Sequence, residues 1–135
     1  ILLCTTFLIQ AMKSIEKILV VDDNSADLML MEEFLKEKFY IKAVSSGQEA
    51  LHLLNNNSFD LVITDMCMPK MDGFKLIENI KDQWPGMPVI MISATLDKKC
   101  QQKALEMNVA AFLNKPIAKS SLMKTIEQVI SNSHN

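Results

Sequence analysis

Four short, mostly apolar runs in this 135-residue chain each end in residues that can handle charge. The run at 18–21 meets Asp22-Asp23, that at 61–64 meets Asp65, that at 89–92 meets Ser93, and that at 111–113 meets Asn114-Lys115-Pro116. Crowded carboxylates repel one another unless a cation lies among them, and hard oxygen ligands with room for water suit an ion of the magnesium type. An ammonium and a hydroxyl opposite such an ion can hold the oxygens of a phosphoryl group in transfer, which leaves Asp65 as the acceptor nucleophile. Taken singly, each aspartate reads more readily as a helix cap or a solvated loop acid than as a ligand, and the same holds for Lys115 as a surface lysine. Their joint occurrence at the ends of successive runs is what points to chemistry.

For these residues to converge, the runs must be strands of one sheet, because open α/β sheets bind ligands outside the carboxyl ends of their strands. A fifth run at 40–44 completes the set, and the short β-branched runs predict strands at 18–21, 40–44, 61–64, 89–92 and 111–113. Between them lie apolar residues at helical spacing: Leu28, Met31 and Leu35; Phe74, Ile77, Ile80 and Trp84; Leu122, Ile126, Val129 and Ile130. Ser46 and Glu49 make a capping box before Ala50–Leu54, Asp72 can cap the helix that Gly73 opens, and Pro85 and Pro88 stop that helix. The weakest helical period is 96–107, with Cys100, Ala104, Leu105 and Met107 as its apolar set. Strands alternating with helices predict an α/β domain with a parallel sheet.

With 49% apolar and 22% charged residues, the composition fits one compact domain and excludes a generally disordered chain. A net charge of −2 argues against direct nucleic acid binding, which needs a positive field. Cys4, Cys67 and Cys100 form no CxxC pair and the chain has 2 histidines, so neither a disulfide framework nor a zinc site is indicated, and a cytoplasmic setting is expected. The apolar stretch at 1–12 is about half the ~20 residues a spanning helix needs, and no basic region precedes it, so no membrane insertion is expected. Met12 opens a run that reads like a protein start. Residues 1–11 are therefore expected to be an apolar extension, with a packed arm or extra strand as the alternative, 12–131 the folded domain and 132–135 a frayed polar tail.

Four segments, ILVVDDN (18–24), DLVITDMCMPKMDG (60–73), IMISA (90–94) and AAFLNKP (110–116), resemble in order and separation the response regulator receiver domain of two-component phosphorelay systems. The resemblance covers about residues 16–131 and implies a doubly wound (βα)5 flavodoxin-like fold, with a five-stranded parallel sheet of order 2-1-3-4-5. It implies Asp65 as the phosphoacceptor, with Asp22, Asp23, Asp65 and the backbone carbonyl of Cys67 around Mg2+, Mn2+ being able to substitute. Ser93 matches the switch hydroxyl, Lys115 the lysine that pairs with the phosphoryl oxygens, and the Lys115-Pro116 bond is expected to be cis. Phe112 stands at the aromatic switch position, although plain core packing explains an aromatic there too. The implied phosphodonor is a histidine kinase or a histidine phosphotransfer protein. Output would pass to a downstream protein or a homodimer partner through the face built from the fourth helix, fifth strand and fifth helix. Such a chain is a regulator and not an enzyme.

A phosphorylation-independent adaptor of the same fold is the alternative, but it has no need of the acidic pair, acceptor, hydroxyl and lysine together. A magnesium-dependent phosphatase with an aspartyl nucleophile would favour a second carboxylate at position 67, which is cysteine. Met66, Met68 and Met71 read as gap-filling contacts and not as a soft-metal site, because the aspartates beside them prefer hard ions. His52 falls within a short helix away from the strand ends and is not expected to donate phosphate. The polar residues after Ile130 leave two expectations open, a stand-alone receiver or a piece of a larger regulator or hybrid kinase.

Overall fold

The computed structural model describes residues 16–133 apart from Pro69 and Leu96, so the expectation for residues 1–11 lies outside the described residues. Strands β1 (Lys17–Val21), β2 (Tyr40–Val44), β3 (Leu61–Asp65), β4 (Val89–Ser93) and β5 (Ala111–Asn114) alternate with five helices. The helices are α1 (Ser25–Leu35), α2 (Gly47–Asn56), α3 (Gly73–Gln83), α4 (Lys98–Glu106) and α5 (Lys119–Ser133). All neighbouring strands are parallel and the sheet order is β2-β1-β3-β4-β5, the flavodoxin-like arrangement.

The central strands β1, β3 and β4 are covered on both faces, whereas the edge strand β2 leaves Tyr40 and Lys42 exposed and β5 is only partly buried. Alternate residues of β1 enter different cores: Leu19 and Val21 pack with Leu54, Leu76, Ile77 and Ile80 from α2 and α3, whereas Ile18 and Val20 pack with Met31, Leu35, Leu122 and Ile126 from α1 and α5. The side chains of Leu76, Ile77 and Ile80 are fully buried, and each contributes ~2–3 kcal/mol of transfer free energy. Leu76 was not in the predicted stripe of α3. The apolar face of this helix is wider than the spacing from Phe74 indicates, because α3 packs against both the sheet and α2.

β3, β4 and β5 each run one residue past the apolar stretch, into Asp65, Ser93 and Asn114. A ladder needs only backbone groups, so a polar side chain at the last position does not end it. The helix starts are capped as Ser46 and Asp72 predict, with their side chains accepting from the Glu49 and Lys75 N–H groups at 3.2 and 2.9 Å. The return bond of the capping box differs: the Glu49 carboxylate accepts from Ser45 N–H at 3.4 Å, one residue before the cap. α4 begins at Lys98 behind an Asp97 cap, two residues later than its period suggests, and α5 continues into the polar tail as far as Ser133.

Candidate functional site

Backbone bonds just beyond the strands extend the sheet at Asp22, after Asp65 and at Lys115. Asp22 N–H donates to Val44 O at 3.1 Å, Met66 N–H to Ile92 O at 2.9 Å and Lys115 N–H to Ser93 O at 2.8 Å. These bonds fix the backbone on either side of the boundary between β1 and β3, from which the strand order runs one way to β2 and the other way to β4 and β5, the switch point at which a parallel sheet opens a crevice. Asp22, Asp23 and Asp65 meet there, with carboxylate oxygens within 4.8 Å of one another. Lys115 Nζ donates to Asp22 Oδ2 at 2.9 Å and lies 3.4 Å from Asp65 Oδ1. Asp22 Oδ1 accepts from Asn24 N–H at 2.9 Å, so both oxygens of this fully buried carboxylate have partners. Asp23, by contrast, faces solvent.

The loop after β3 is closed by Gly73 N–H donating to Met66 O at 2.8 Å. Glycine is required at 73 by proximity, since a Cβ there would sit 2.3 Å from the Asp65 carbonyl oxygen. Lys70 in the same loop has a positive φ of 68°, a conformation that costs a residue with a Cβ.

Burial, and next the Asp22 charge, push the Asp65 carboxyl up to about 6, with Lys115 opposing both. Burial alone would lower the Lys115 ammonium, but hydrogen bonds to Asp27 and Asp22 and the charges of Asp22 and Asp65 reverse that and hold it above the ordinary lysine range. The pocket thus penalises the Asp65 charge, through burial first and the neighbouring Asp22 carboxylate second, by more than one ammonium offsets. A hard divalent cation among the three acids fits this donor set and removes the repulsion.

Ser93 is buried beside this pocket at the end of β4, and its Oγ accepts from Thr95 N–H at 3.0 Å. Phe112, partly buried in β5, pairs across the ladder with Met91 and packs on the α2–α3–α4 side of the sheet. The Lys115–Pro116 bond is cis. Cys67 is exposed in the loop after Asp65, and its thiol is pushed up, by partial burial first and then by the Asp65 charge, so it is not an activated nucleophile. Met66 and Met68 are buried and Met71 rests on Gly47, all three as packing contacts. His52 is exposed on α2. Of the other aspartates near the acceptor in sequence, Asp60 lies at the opposite end of the sheet accepting from Lys17 N–H at 2.8 Å, and Asp72 caps α3.

The residue that sequence reasoning missed is Asp27, whose Oδ2 accepts from Lys115 Nζ at 2.8 Å. It sits in the first turn of α1, where an acid is expected from the helix dipole alone. The one available signal is that it follows the Asp22-Asp23 pair by a single helical turn.

Among the described residues, no helix is long and apolar enough to cross a membrane. A family profile described as "Response regulator receiver domain" matches residues 18–127. The two-component response regulator ARR12 of Arabidopsis thaliana is 37% identical over 117 residues, which cover 84% of this chain and 20% of that protein. The sensor histidine kinase RcsC of Salmonella typhi is 33% identical over 81% of this chain and 12% of its own length. The chain therefore spans about a fifth or less of these relatives. A response regulator receiver domain protein from Clostridium thermocellum superimposes with a TM-score of 0.84 at 32% identity, over 89% of this chain and 98% of that one. A profile that takes in every strand-end acid, together with a solved domain matched over nearly its whole length, makes the assignment direct: the chain belongs to the response regulator receiver domains, a family that is regulatory rather than catalytic.

Proposed function

We propose that the chain is a phosphorylation-driven switch that accepts a phosphoryl group on Asp65 from a phosphohistidine of a histidine kinase or a histidine phosphotransfer protein. The carrying observation is the assembly of Asp22, Asp23, Asp65 and Lys115 on one rim, with Asp65 held between an acid pair and an ammonium. In the transfer an Asp65 carboxylate oxygen bonds to phosphorus, the phosphorus–nitrogen bond breaks, and the electron pair leaves with the imidazole. Mg2+, or Mn2+ in its place, held by Asp22, Asp23, Asp65 and the Cys67 carbonyl, would neutralise charge developing on the phosphoryl oxygens.

Lys115 supplies the remaining positive charge at a fixed point. The Ser93 hydroxyl, one lone pair of which is taken by Thr95 N–H, keeps its proton to donate to a phosphoryl oxygen. That bond would draw the chain after β4 inward, with Phe112 following, and alter the α4–β5–α5 face that a downstream protein or a second copy reads. The free thiols Cys67 and Cys100 suit a reducing cytosol.

The test is incubation with acetyl phosphate and Mg2+, followed by borohydride trapping and mass spectrometry. One acid-labile phosphoryl group is expected on Asp65 and none in Asp65→Asn. Label on Asp60 or Asp72 instead would overturn the assignment.

A further inference from the structure

Lys115 is shared among three carboxylates, and the tightest of its contacts is to a residue outside the acidic trio. Its Nζ lies 2.8 Å from Asp27, 2.9 Å from Asp22 and 3.4 Å from Asp65. An ammonium has three protons in a fixed tripod. Two are spent on Asp27 and Asp22, on opposite sides of the β1–α1 turn, and the third faces Asp65 at a distance too long for a tight bond. The backbone of Asp27 is itself anchored, because its N–H donates to the Asn24 cap at 3.0 Å, and its side chain stays about one-third exposed against 16% for that of Lys115.

We propose that Asp27 is a positioning residue for Lys115: it tethers the ammonium to α1 so that the third N–H is aimed at the oxygens of a phosphoryl group on Asp65. This rests on the phosphoacceptor reading above. Without the tether, a lysine with four rotatable methylenes must be ordered at the moment of binding, and it collapses onto Asp22 alone.

The sign of the effect separates positioning from charge. Asp27→Asn removes a negative charge near an anion site, so a simple field effect strengthens anion binding, and more so at low salt. Loss of positioning weakens it at any ionic strength.

The probe is beryllofluoride, a mimic of the phosphoryl group, titrated by calorimetry at saturating Mg2+ into wild type, Asp27→Asn and Asp27→Ser. The two variants are expected to bind it about tenfold more weakly. The loss should persist in ~0.5 M KCl, where the Debye length falls to a few ångströms. Affinity for Mg2+ alone should stay within about threefold of wild type, which shows that the acidic trio and the fold are intact. Unchanged or tighter beryllofluoride binding in the variants overturns the inference, as does a loss matched by an equal loss of Mg2+ affinity. Failure of the wild type to bind beryllofluoride with Mg2+ overturns the phosphoacceptor reading instead, so the two failures are distinguishable.

Discussion

In the metal-free protein, Asp65→Asn exchanges a carboxylate for a neutral amide of nearly the same shape, in a pocket that already holds Asp22 and Asp23. Burial and the Asp22 charge raise the Asp65 carboxyl from 3.8 to about 6, so at pH 7.5 the folded state carries a charge it resists. At about 1.36 kcal/mol per pH unit, that difference corresponds to ~3 kcal/mol of destabilisation. The pocket rim is open to water and the amide makes a weaker bond to Lys115, so a gain of ~1–2 kcal/mol is expected for the variant. The sign follows from proton uptake: between pH 4 and 6 the folded state binds more protons at this group than the unfolded state, so the wild type loses stability as pH rises through that window.

Urea unfolding in EDTA should therefore show Asp65→Asn more stable than wild type at pH 7.5, the gain shrinking towards zero as pH falls to about 4. Carboxylates remote from the pocket titrate over the same range but cancel in the difference between the two proteins, whereas Asp22 and Asp23 are relieved of the Asp65 charge in the variant and add to its gain. Millimolar Mg2+ should stabilise the wild type more than the variant. A variant no more stable than wild type at pH 7.5, or a gain independent of pH, would refute the claim that burial and the Asp22 charge penalise the Asp65 carboxylate in the folded state.

Gly73→Ala should cost about 3 kcal/mol in chemical denaturation and weaken Mg2+ binding, because the new Cβ meets the Asp65 carbonyl oxygen at 2.3 Å and Met66 Cα at 2.9 Å, both backbone atoms. Lys70→Gly should stabilise by ~0.5–1 kcal/mol, the left-handed penalty at φ 68° exceeding the added chain entropy of glycine; an unchanged melting temperature would remove the strain argument. Asp23→Ala should reduce Mg2+ affinity in calorimetry more than Asp22→Ala, since both Asp22 oxygens already serve Asn24 and Lys115 while Asp23 faces the solvent from which the ion arrives. Equal losses would cancel that ranking.

The sequence by itself determined what is local along the chain. Five mostly apolar runs too short for helices, each closed by polar residues, specify strands, of which β1, β3 and β4 are buried on both faces. The Ser46 and Asp72 caps lie where a side-chain oxygen can reach an N–H three residues on. Even the rim of acids was legible, because a parallel sheet places every strand's carboxyl end on one side, so Asp22, Asp65, Ser93 and Lys115 had to gather there once the strands were known.

Tertiary structure alone decided which groups touch. Asp27 bonds Lys115 across 88 positions of sequence, a contact no helical period or cap rule encodes. The closeness of Asp22 to Asp65, which raises the Asp65 carboxyl, exists only because Val21 and Thr64 are paired across β1 and β3. Leu76 joins the core because α3 has α2 as a neighbour as well as the sheet. Backbone propensity and hydrophobic period act over a few residues, whereas electrostatic energy depends on distance and burial, which are set only when strands far apart in sequence come into register.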